Sequence, residues 1–321
     1  MNTIGHIFRL TTFGESHGTA IGGVIDGCPA RLELDFDFID NELRRRKTVQ
    51  TETASQRQEP DRIEWLSGLL DGVTLGSPVA FMVRNEDAKP EDYEVLKDVY
   101  RPSHADFTYE QKYGLRDWRG GGRASARTTL PIVVAGAVAK QVMREKGVEI
   151  QAETVFMGDA EQAQREGDTV GGVVECRIMG LPAGLGEPMF GKFSAELAHA
   201  MFSLPAVKGF EIGDGFAMAR MKGSEANDGF AVKNGKTIVA TNHSGGIQGG
   251  ITNGNDVVFR VAFKPIPSLA KPQQTVNRAG EACEIAISGR HDVCALPRAV
   301  VSVEALAALV TVDALMMANM Q

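Results

Sequence analysis

Two long apolar segments constrain the fold of this chain more than any other feature. Residues 124–146 predict a helix whose middle, VVAGAVA, is apolar on nearly every side. Pro131 either kinks this helix or marks its true beginning. A second apolar helix is predicted from Arg298 to Met317, and Glu304 and Asp313 within it argue against a membrane span. Both helices must therefore be buried on most sides.

Strand-like runs and one shorter helix account for much of the remaining sequence. The helix is expected over residues 37–47, because Ile39 and Leu43 share one helical face. The predicted strands are residues 20–25, 31–34, 63–66, 79–83, 150–156, 170–178, 210–221, 257–263 and 284–287. Grouped strands with intervening helices favour the α+β class over regular βαβ alternation. No linker or repeat is visible, so residues 1–321 are predicted to form a single domain.

The overall charge excludes several classes of protein. A formal net charge of −7 and a pI near 5.5 argue against broad binding of nucleic acids or anionic membranes. The N-terminus lacks the basic start and apolar core of a secretory signal. The four cysteines have no metal-finger spacing. We therefore expect a cytoplasmic protein whose positive charge is concentrated locally.

Residues 119–129, RGGGRASARTT, concentrate positive charge in this way. Such a cluster is a solvated loop, a nucleic-acid patch or a socket for a small anion. Glycine backbone, hydroxyl groups and a following helix N-terminus favour the anion socket. Arg123 and Arg127 are four residues apart and share one face if the helix has begun. An arginine can hold a phosphate or a carboxylate through two hydrogen bonds.

A second basic run, Arg44 to Lys47, ends the short helix. Cations at a helix C-terminus complement the helix dipole, so the residues alone favour a solvated helix end. Arg57 lies close in sequence and leaves a second anion site possible.

Three histidines have neighbours that suggest chemistry: His17 in GESHG, His104 in RPSHADF and His291 in GRHDVC. Histidine carries protons near neutral pH. A Ser16–His17 dyad is not expected, because adjacent side chains in extended backbone point apart. A metal site formed by His104, Asp106, His291 and Asp292 stays open, but no ligand spacing such as HExxH supports it, so no metal is expected.

The residues alone thus predict an α+β enzyme with anion sites and proton-transfer histidines, and they do not name the reaction. The stretches GESHGTAIGGVIDGCP, GGGRASARTT and GRHDVC are similar to the three signatures of the chorismate synthase family. RNED, RPSHADFTYEQKYGLRDWRGGGR, LPAGLGEP, AVKGFEIGDGF, GGIQGG and KPIPS follow that family's order. The resemblance spans nearly the whole chain.

This resemblance implies a reaction and a cofactor. The family converts 5-enolpyruvylshikimate 3-phosphate (EPSP) to chorismate and phosphate by a trans-1,4-elimination, the last step before the aromatic pathways branch. It needs reduced FMN although there is no net redox change. The implied fold is a β–α–β sandwich of antiparallel sheets enclosing helices, assembled as a homotetramer. No flavin-reductase insert is evident, so an external flavin reductase is expected, with NADPH as an indirect reductant at most.

The resemblance also implies roles for individual residues. His17 and His104 match the catalytic histidines, near the departing phosphate and the flavin ring respectively, and Asp292 matches the acid that assists proton removal through the flavin. The implied flavin contacts are Arg123, Ala124, Ser125, Pro205, Ala206, Gly249, Lys264, Pro265, Ile266, Pro267, Ser268 and Arg290. The implied substrate contacts are Arg46, Arg57, Ser125, Ala126, Arg127 and Arg290.

The sequence departs from the family pattern in four places. Glu52 stands where the family usually has an arginine, Thr128 where it more often has glutamate and Val293 where it often has proline. The segment around residues 158–170 is shorter than in many relatives. Two rival functions remain: a phosphate-ester lyase without flavin, and an anion-binding protein that has lost turnover.

Overall fold

The computed structural model describes residues 1–47, 60–87, 90–287 and 292–319. The strands are β1 Thr3–Ile4, β2 Arg9–Phe13, β3 Ala20–Asp26, β4 Ile63–Ser67, β5 Leu69–Leu70, β6 Val73–Thr74, β7 Val79–Arg84, β8 Glu149–Met157, β9 Gly172–Met179, β10 Val207–Ile212, β11 Phe230–Lys233, β12 Lys236–Val239, β13 Ile247–Gln248, β14 Ile251–Thr252, β15 Val257–Phe263, β16 Gln273–Val276 and β17 Ala282–Ile285. The helices are α1 Phe36–Lys47, α2 Asp106–Tyr113, α3 Leu130–Arg144, α4 Ala160–Arg165, α5 Phe193–Phe202, α6 Gly223–Ala226 and α7 Leu296–Ala318.

Two antiparallel sheets form the outer layers of the molecule. The first has the strand order β1-β2-β3-β7-β4, and the second has the order β10-β15-β9-β8. Helix α3 packs against β2 and β3 of the first sheet, α7 packs against β8 and β9 of the second, and the two helices pack against each other. The structure therefore confirms the α+β class and the expected β–α–β sandwich.

The position of the two long helices between the sheets explains their composition. A helix covered on both sides needs apolar residues around most of its circumference. The backbones of α3 and α7 approach closely at Gly136, where an added Cβ would lie 2.5 Å from Cα of Ala305. Among the described residues, α7 alone is long and apolar enough to cross a membrane, but 83% of that window is buried inside the protein. It is a core helix.

The first long helix begins later than the sequence predicts. Helix α3 starts at Leu130 instead of residue 124, with Pro131 in its first turn. Proline is well tolerated there, because the first amide groups of a helix have no partner within it. Two short 3-10 segments, Gly122–Ala124 and Ala126–Thr129, lead into the helix.

Two predicted strands are also wrong in extent. Residues 31–34 form only an isolated bridge between Glu33 and Val73, because Arg31 turns the chain with φ of 68°. The strand predicted over residues 210–221 ends at Ile212 and is followed by a 3-10 helix, Gly215–Arg220. Helices α2 and α5 were not predicted.

Candidate active site

A tight turn between β2 and β3 carries His17. The side-chain amide of Asn85 donates hydrogen bonds to the carbonyls of Glu15 and Gly18, at 3.1 and 2.7 Å. Arg123 donates to the carbonyl of Gly14 at 3.2 Å. These long-range contacts hold the turn from both ends, and they fix the backbone from which the His17 side chain projects.

The His17 ring lies among polar and aromatic groups. The hydroxyl of Ser16 lies 3.0 Å from its Nδ1, so the expectation that these side chains point apart is wrong: their backbone is a turn and not an extended strand. The Tyr93 ring meets it edge-on at a centroid distance of 4.8 Å. On the other side is Gly120, where an added Cβ would lie 2.3 Å from Nδ1 of His17. The ring therefore requires glycine at position 120.

His104 is linked to Gly120 through Asp106 and Arg101. Its Nδ1 is 2.9 Å from Oδ1 of Asp106. Arg101 holds that carboxylate with two side-chain hydrogen bonds of 2.7 Å and donates another, of 3.0 Å, to the carbonyl of Gly120. Through Arg101 and Gly120, the two histidines predicted from the sequence belong to one connected structure.

Burial and two arginines influence the charge of His104. Desolvation lowers the pKa of His104, and the positive charges of Arg101 and Arg116 lower it further, against the opposing effect of Asp106. Burial alone would raise the pKa of Asp106, but hydrogen bonds from Arg101 and the His104 contact hold it well below its usual range. The site thus favours a neutral imidazole beside an ionised carboxylate.

A second group of charges, which we call the Asp61 cluster, consists of Asp61, Arg46, Lys47 and Arg127. Arg127 donates to Oδ1 of Asp61 at 3.0 Å. Arg46 and Lys47 each approach Oδ2 at 3.2 Å. Asp61 is buried and adopts a left-handed backbone conformation, with φ of 48°, which is strained for a residue other than glycine. Three cations therefore surround one carboxylate.

Arg46 is the most deeply buried cation of the Asp61 cluster. Burial lowers the pKa of Arg46 to about 10, and the charges of Arg298 and Arg127 also lower it against the opposing effect of Asp61. Arg46 is only 4% exposed, and its Nε has no hydrogen-bond partner among the described residues. The prediction of a solvated helix end is therefore wrong for Arg46. A buried donor without an acceptor suits an incoming anion.

Asn85 and Arg298 extend this cluster towards the other predicted site residues. Nε of Arg127 donates to Oδ1 of Asn85 at 2.5 Å, and Asn85 also holds the His17 turn. Arg298, which is close enough to influence Arg46, lies 3.2 Å from Oδ1 of Asp292. The contacts thus bring His17, Arg46, Arg127 and Asp292 into one region.

In the glycine–arginine stretch, Arg123 and Arg127 do not share one helical face. The sequence predicted a shared face only if the helix had begun there, and α3 begins at Leu130. Ser125 has an extended conformation between the two 3-10 segments, and its hydroxyl accepts a hydrogen bond from the backbone amide of Arg127 at 3.3 Å. Arg123 therefore turns towards β2, where it donates to Thr12 at 2.7 Å, whereas Arg127 turns towards Asp61. Arg119 forms an exposed pair with Asp117 at 2.8 Å.

Two of the predicted flavin-binding segments lie beside His104. Nζ of Lys264 donates to the carbonyl and hydroxyl of Ser103 at 2.6 and 2.8 Å. The backbone amide of Lys264 donates to the carbonyl of Ala206 at 2.9 Å, and this bond joins the segment 264–268 to the segment 205–206. The carbonyl of Ile266 accepts a hydrogen bond from the hydroxyl of Thr169 at 2.7 Å. Pro205, Pro265, Pro267 and Ser268 flank these contacts in sequence.

Other predicted site residues are not brought to this region by the described contacts. Gly249 is in the turn between β13 and β14, and the next residue, Gly250, bonds the amide of Phe193 at 2.8 Å. Arg57, Arg290, Glu52 and His291 lie outside the described residues. No group of three or more metal-ligating side chains occurs within the part of the chain that the structure describes.

Sequence reasoning missed Asp61, Asn85 and Gly120. Asn85 was part of the quoted RNED motif but had no role, and its position directly after the apolar strand β7 was the available signal. Asp61 and Gly120 gave no such signal, because their partners are distant in sequence.

Comparison with known proteins identifies one family. The family model described as chorismate synthase matches residues 8–163 and 156–316. Chorismate synthases from Opitutus terrae and Porphyromonas gingivalis are 48% and 49% identical; the alignments cover 97% and 98% of this chain and 96% and 95% of those proteins. A crystal structure of chorismate synthase superposes with a TM-score of 0.78 at 30% identity, over 98% of this chain and 93% of that one.

The matches also bear on the length of the middle segment. The alignment with the Opitutus terrae protein extends over 347 residues, more than the 321 of this chain, so that relative contains residues that this chain lacks. The two ranges of the family match meet at residues 156–163. The shorter middle expected around residues 158–170 stays a prediction.

Proposed function

The chain belongs to the chorismate synthase family of lyases, and we propose that it converts EPSP to chorismate and phosphate with the help of reduced FMN. The observation that carries this proposal is the connected site itself. His17, His104 and a buried, cation-rich cluster are joined through Gly120 and Asn85. EPSP carries a phosphate and two carboxylates, so its binding needs concentrated positive charge.

The Asp61 cluster supplies that charge. Arg46 and Arg127 are both buried and share the carboxylate of Asp61, and Nε of Arg46 is a buried donor without an acceptor among the described residues. An anion that enters a buried site gains stronger electrostatic attraction than it would in water. We assign Arg46 and Arg127 to the substrate anions, with Ser125 and Ala126 beside them. Arg57 and Arg290 remain proposed contacts on the family resemblance alone.

The residues beside His104 fit a flavin. Lys264 bonds the neutral oxygens of Ser103, and burial followed by the charge of Lys208 lowers the pKa of Lys264. A partly buried cation that bonds neutral oxygens suits an anionic cofactor. We propose that the segments 205–206 and 264–268 hold FMN together with Arg123, Ala124, Ser125, Gly249 and Arg290. When bound, reduced FMN supplies electron density while the allylic phosphate leaves.

His17 and His104 have different surroundings, and we propose a different role in proton transfer for each. Because burial favours the neutral form of His104, its imidazole has a free lone pair before the reaction and can accept a proton. We propose that His17 acts near the departing phosphate, where the hydroxyl of Ser16 and the ring of Tyr93 hold its imidazole. Asp292 beside Arg298 is the proposed acidic residue that assists removal of the ring hydrogen.

An anaerobic assay with EPSP and chemically reduced FMN tests this function. Chorismate absorbance and phosphate release are followed together, and we expect equal amounts of both. Phosphate without chorismate would point to a flavin-independent lyase or hydrolase. Neither product, with both ligands still bound, would mean an anion-binding protein without turnover.

Replacing either histidine tests the assigned proton roles. We expect His17→Ala and His104→Ala each to lower kcat by about tenfold or more, because general acid–base groups typically contribute at least that much. EPSP affinity, measured by calorimetry, should change little, because the arginines remain. Wild-type turnover in either variant would remove that histidine from the mechanism.

We also propose a cytoplasmic homotetramer that receives reduced flavin from an external reductase. Light scattering of the purified protein measures the assembly, and a monomer would contradict it. Turnover with FMN and NADPH, but without a reductase or a chemical reductant, would contradict the need for an external enzyme.

A further inference from the structure

Asn85 has no role in the function proposed above, although it touches both halves of the site. We propose that Asn85 is a positioning residue that couples anion binding at Arg127 to the placement of His17. This inference rests on the proposed function for its kinetic consequences, whereas its effect on the His17 ring is independent of turnover.

The oxygen and the nitrogen of the Asn85 side-chain amide bind different parts of the site. Oδ1 accepts from Nε of Arg127 at 2.5 Å. Nδ2 donates to the carbonyl of Glu15 at 3.1 Å and to that of Gly18 at 2.7 Å. The amide orientation follows from these partners, because a guanidinium only donates and a carbonyl only accepts.

The two backbone carbonyls that Asn85 binds belong to residues on either side of His17 in the sequence. Glu15 and Gly18 lie on either side of Ser16 and His17, so the Asn85 amide spans the base of the turn. The backbone amide of Asn85 also donates to the carbonyl of Thr19 at 3.1 Å. Asn85 is therefore fixed relative to the turn, and a displacement of its side chain changes the direction of the His17 ring.

Arg127 is held at two points of its guanidinium group. Nε binds Asn85 and NH1 binds Asp61 at 3.0 Å. An anion that draws Arg127 towards itself therefore also draws on Oδ1 of Asn85, and the amide passes that displacement to the turn. Substrate binding and proton-transfer geometry are linked through one side chain.

Neither aspartate nor leucine can make the same set of contacts at this position. Aspartate would keep an acceptor for Arg127 but would present an oxygen to the two carbonyls in place of a donor. Leucine has a similar shape and makes none of the three hydrogen bonds. These two substitutions therefore separate the contact to the turn from the contact to the arginine.

The kinetic test compares Asn85→Asp and Asn85→Leu with the wild type. Because both lose the donors to the turn, we expect kcat to fall by about tenfold or more in each. The Leu variant keeps Arg127 on Asp61, so its EPSP affinity should change by less than about threefold. A wild-type kcat in the Asp variant, or a loss of affinity alone in the Leu variant, would overturn the proposal.

Asn255 provides the matched control. Its Nδ2 also donates to two backbone carbonyls, those of Val239 and Thr241, at 3.3 and 2.9 Å. We expect Asn255→Asp to leave kcat and EPSP affinity unchanged. An equal loss of kcat in this control would show that losing any such amide has the same effect, and would overturn the specific role of Asn85.

A double-mutant cycle with Arg127→Met tests the coupling itself. If Asn85 and Arg127 act through each other, the combined loss in kcat/KM should be smaller than the product of the single losses by about fivefold or more. Independent, multiplicative losses would contradict coupling.

The NMR resonances of the His17 ring give a readout that needs no substrate. We expect these resonances to shift in Asn85→Asp and to stay in place in Asn255→Asp. Unchanged resonances in the Asn85 variant overturn the inference even if the wild-type enzyme is active. If the wild type makes no chorismate, the proposed function fails and the His17 spectra still decide the role of Asn85.

Discussion

Arg45 and Arg46 are consecutive residues of α1, yet they enter two charge clusters of different character, and only Arg46 is itself buried. Arg45 belongs to a closed cluster with Glu42, Glu304 and Lys140. In this cluster Arg45 donates two bonds of 2.8 Å to Glu304, and Lys140 bonds Glu42 at 2.6 Å and Glu304 at 2.7 Å. The backbone amide of Ala152 donates to Glu304 at 3.0 Å. Two carboxylates face two cations.

Arg46 belongs to the Asp61 cluster, where three cations share one described carboxylate. Asp61 is shared by Arg46, Lys47 and Arg127, and Nε of Arg46 has no hydrogen-bond partner within the described ranges. The closed cluster joins α1, α3 and α7 and contributes to the fold. The Asp61 cluster is joined to the His17 turn through Asn85, and Nε of Arg46 is a donor that it can offer to an anion. A buried donor without an acceptor, such as Nε of Arg46, thus favours a binding site over a purely structural role.

The largest expected effect tests the closed cluster. Glu304→Ala leaves Arg45 and Lys140 without their main partner, so the free energy of unfolding should fall by about 3–5 kcal/mol. Urea unfolding measures it. Glu64→Ala, which removes the partner of Arg84 in an exposed pair, should cost much less, because solvent screens that pair. Equal losses would mean that the closed cluster has no special structural importance.

A smaller but more specific effect is expected at the Asp61 cluster. Arg127→Ala removes a guanidinium that binds Asp61 and Asn85, so EPSP affinity should fall by roughly tenfold or more. Isothermal calorimetry measures the dissociation constant. If affinity is unchanged, Arg127 does not contact the substrate anions, and the two clusters do not differ in substrate binding through this residue.

The smallest expected effect is the pH dependence that His104 gives to stability. Because burial lowers its pKa below the ordinary 6.5, the unfolded chain binds a proton that the folded protein does not as the pH falls below that value. Stability should therefore decrease from about pH 6.5 downwards, and His104→Gln should flatten this part of the profile. Asp106, whose pKa is lowered from 3.8, contributes only at more acidic pH. An unchanged profile in urea unfolding would argue against a buried neutral imidazole.

A structural feature could be predicted from the sequence when the residues that determine it lie close together in the chain. The strand at residues 257–263 and the two apolar helices were predicted because their pattern of apolar residues is contained in the segments themselves. The hydrogen bonds and ion pairs around the site were not predicted, because they join residues far apart in the chain. The resemblance pointed to Arg46, whereas the residues alone favoured a solvated helix end.

The distinction between Arg45 and Arg46 shows the limit most clearly. Consecutive helical residues differ by about 100° in direction, so a run of arginines must face several environments. Which arginine is buried depends on Asp61 and Glu304, at distant positions in the sequence. Asn85 was missed for the same reason, since its partners Glu15, Gly18 and Arg127 come from three separate segments.

The most direct test of the central claim is calorimetric titration of EPSP into two neighbouring variants, Arg45→Met and Arg46→Met. Each removes one cation from the same helix, and thermal unfolding first confirms that both are folded. We expect Arg46→Met to weaken EPSP binding by roughly tenfold or more and Arg45→Met to stay within about twofold of the wild type. Equal affinities in the two variants would contradict the assignment of the Asp61 cluster as the substrate anion site.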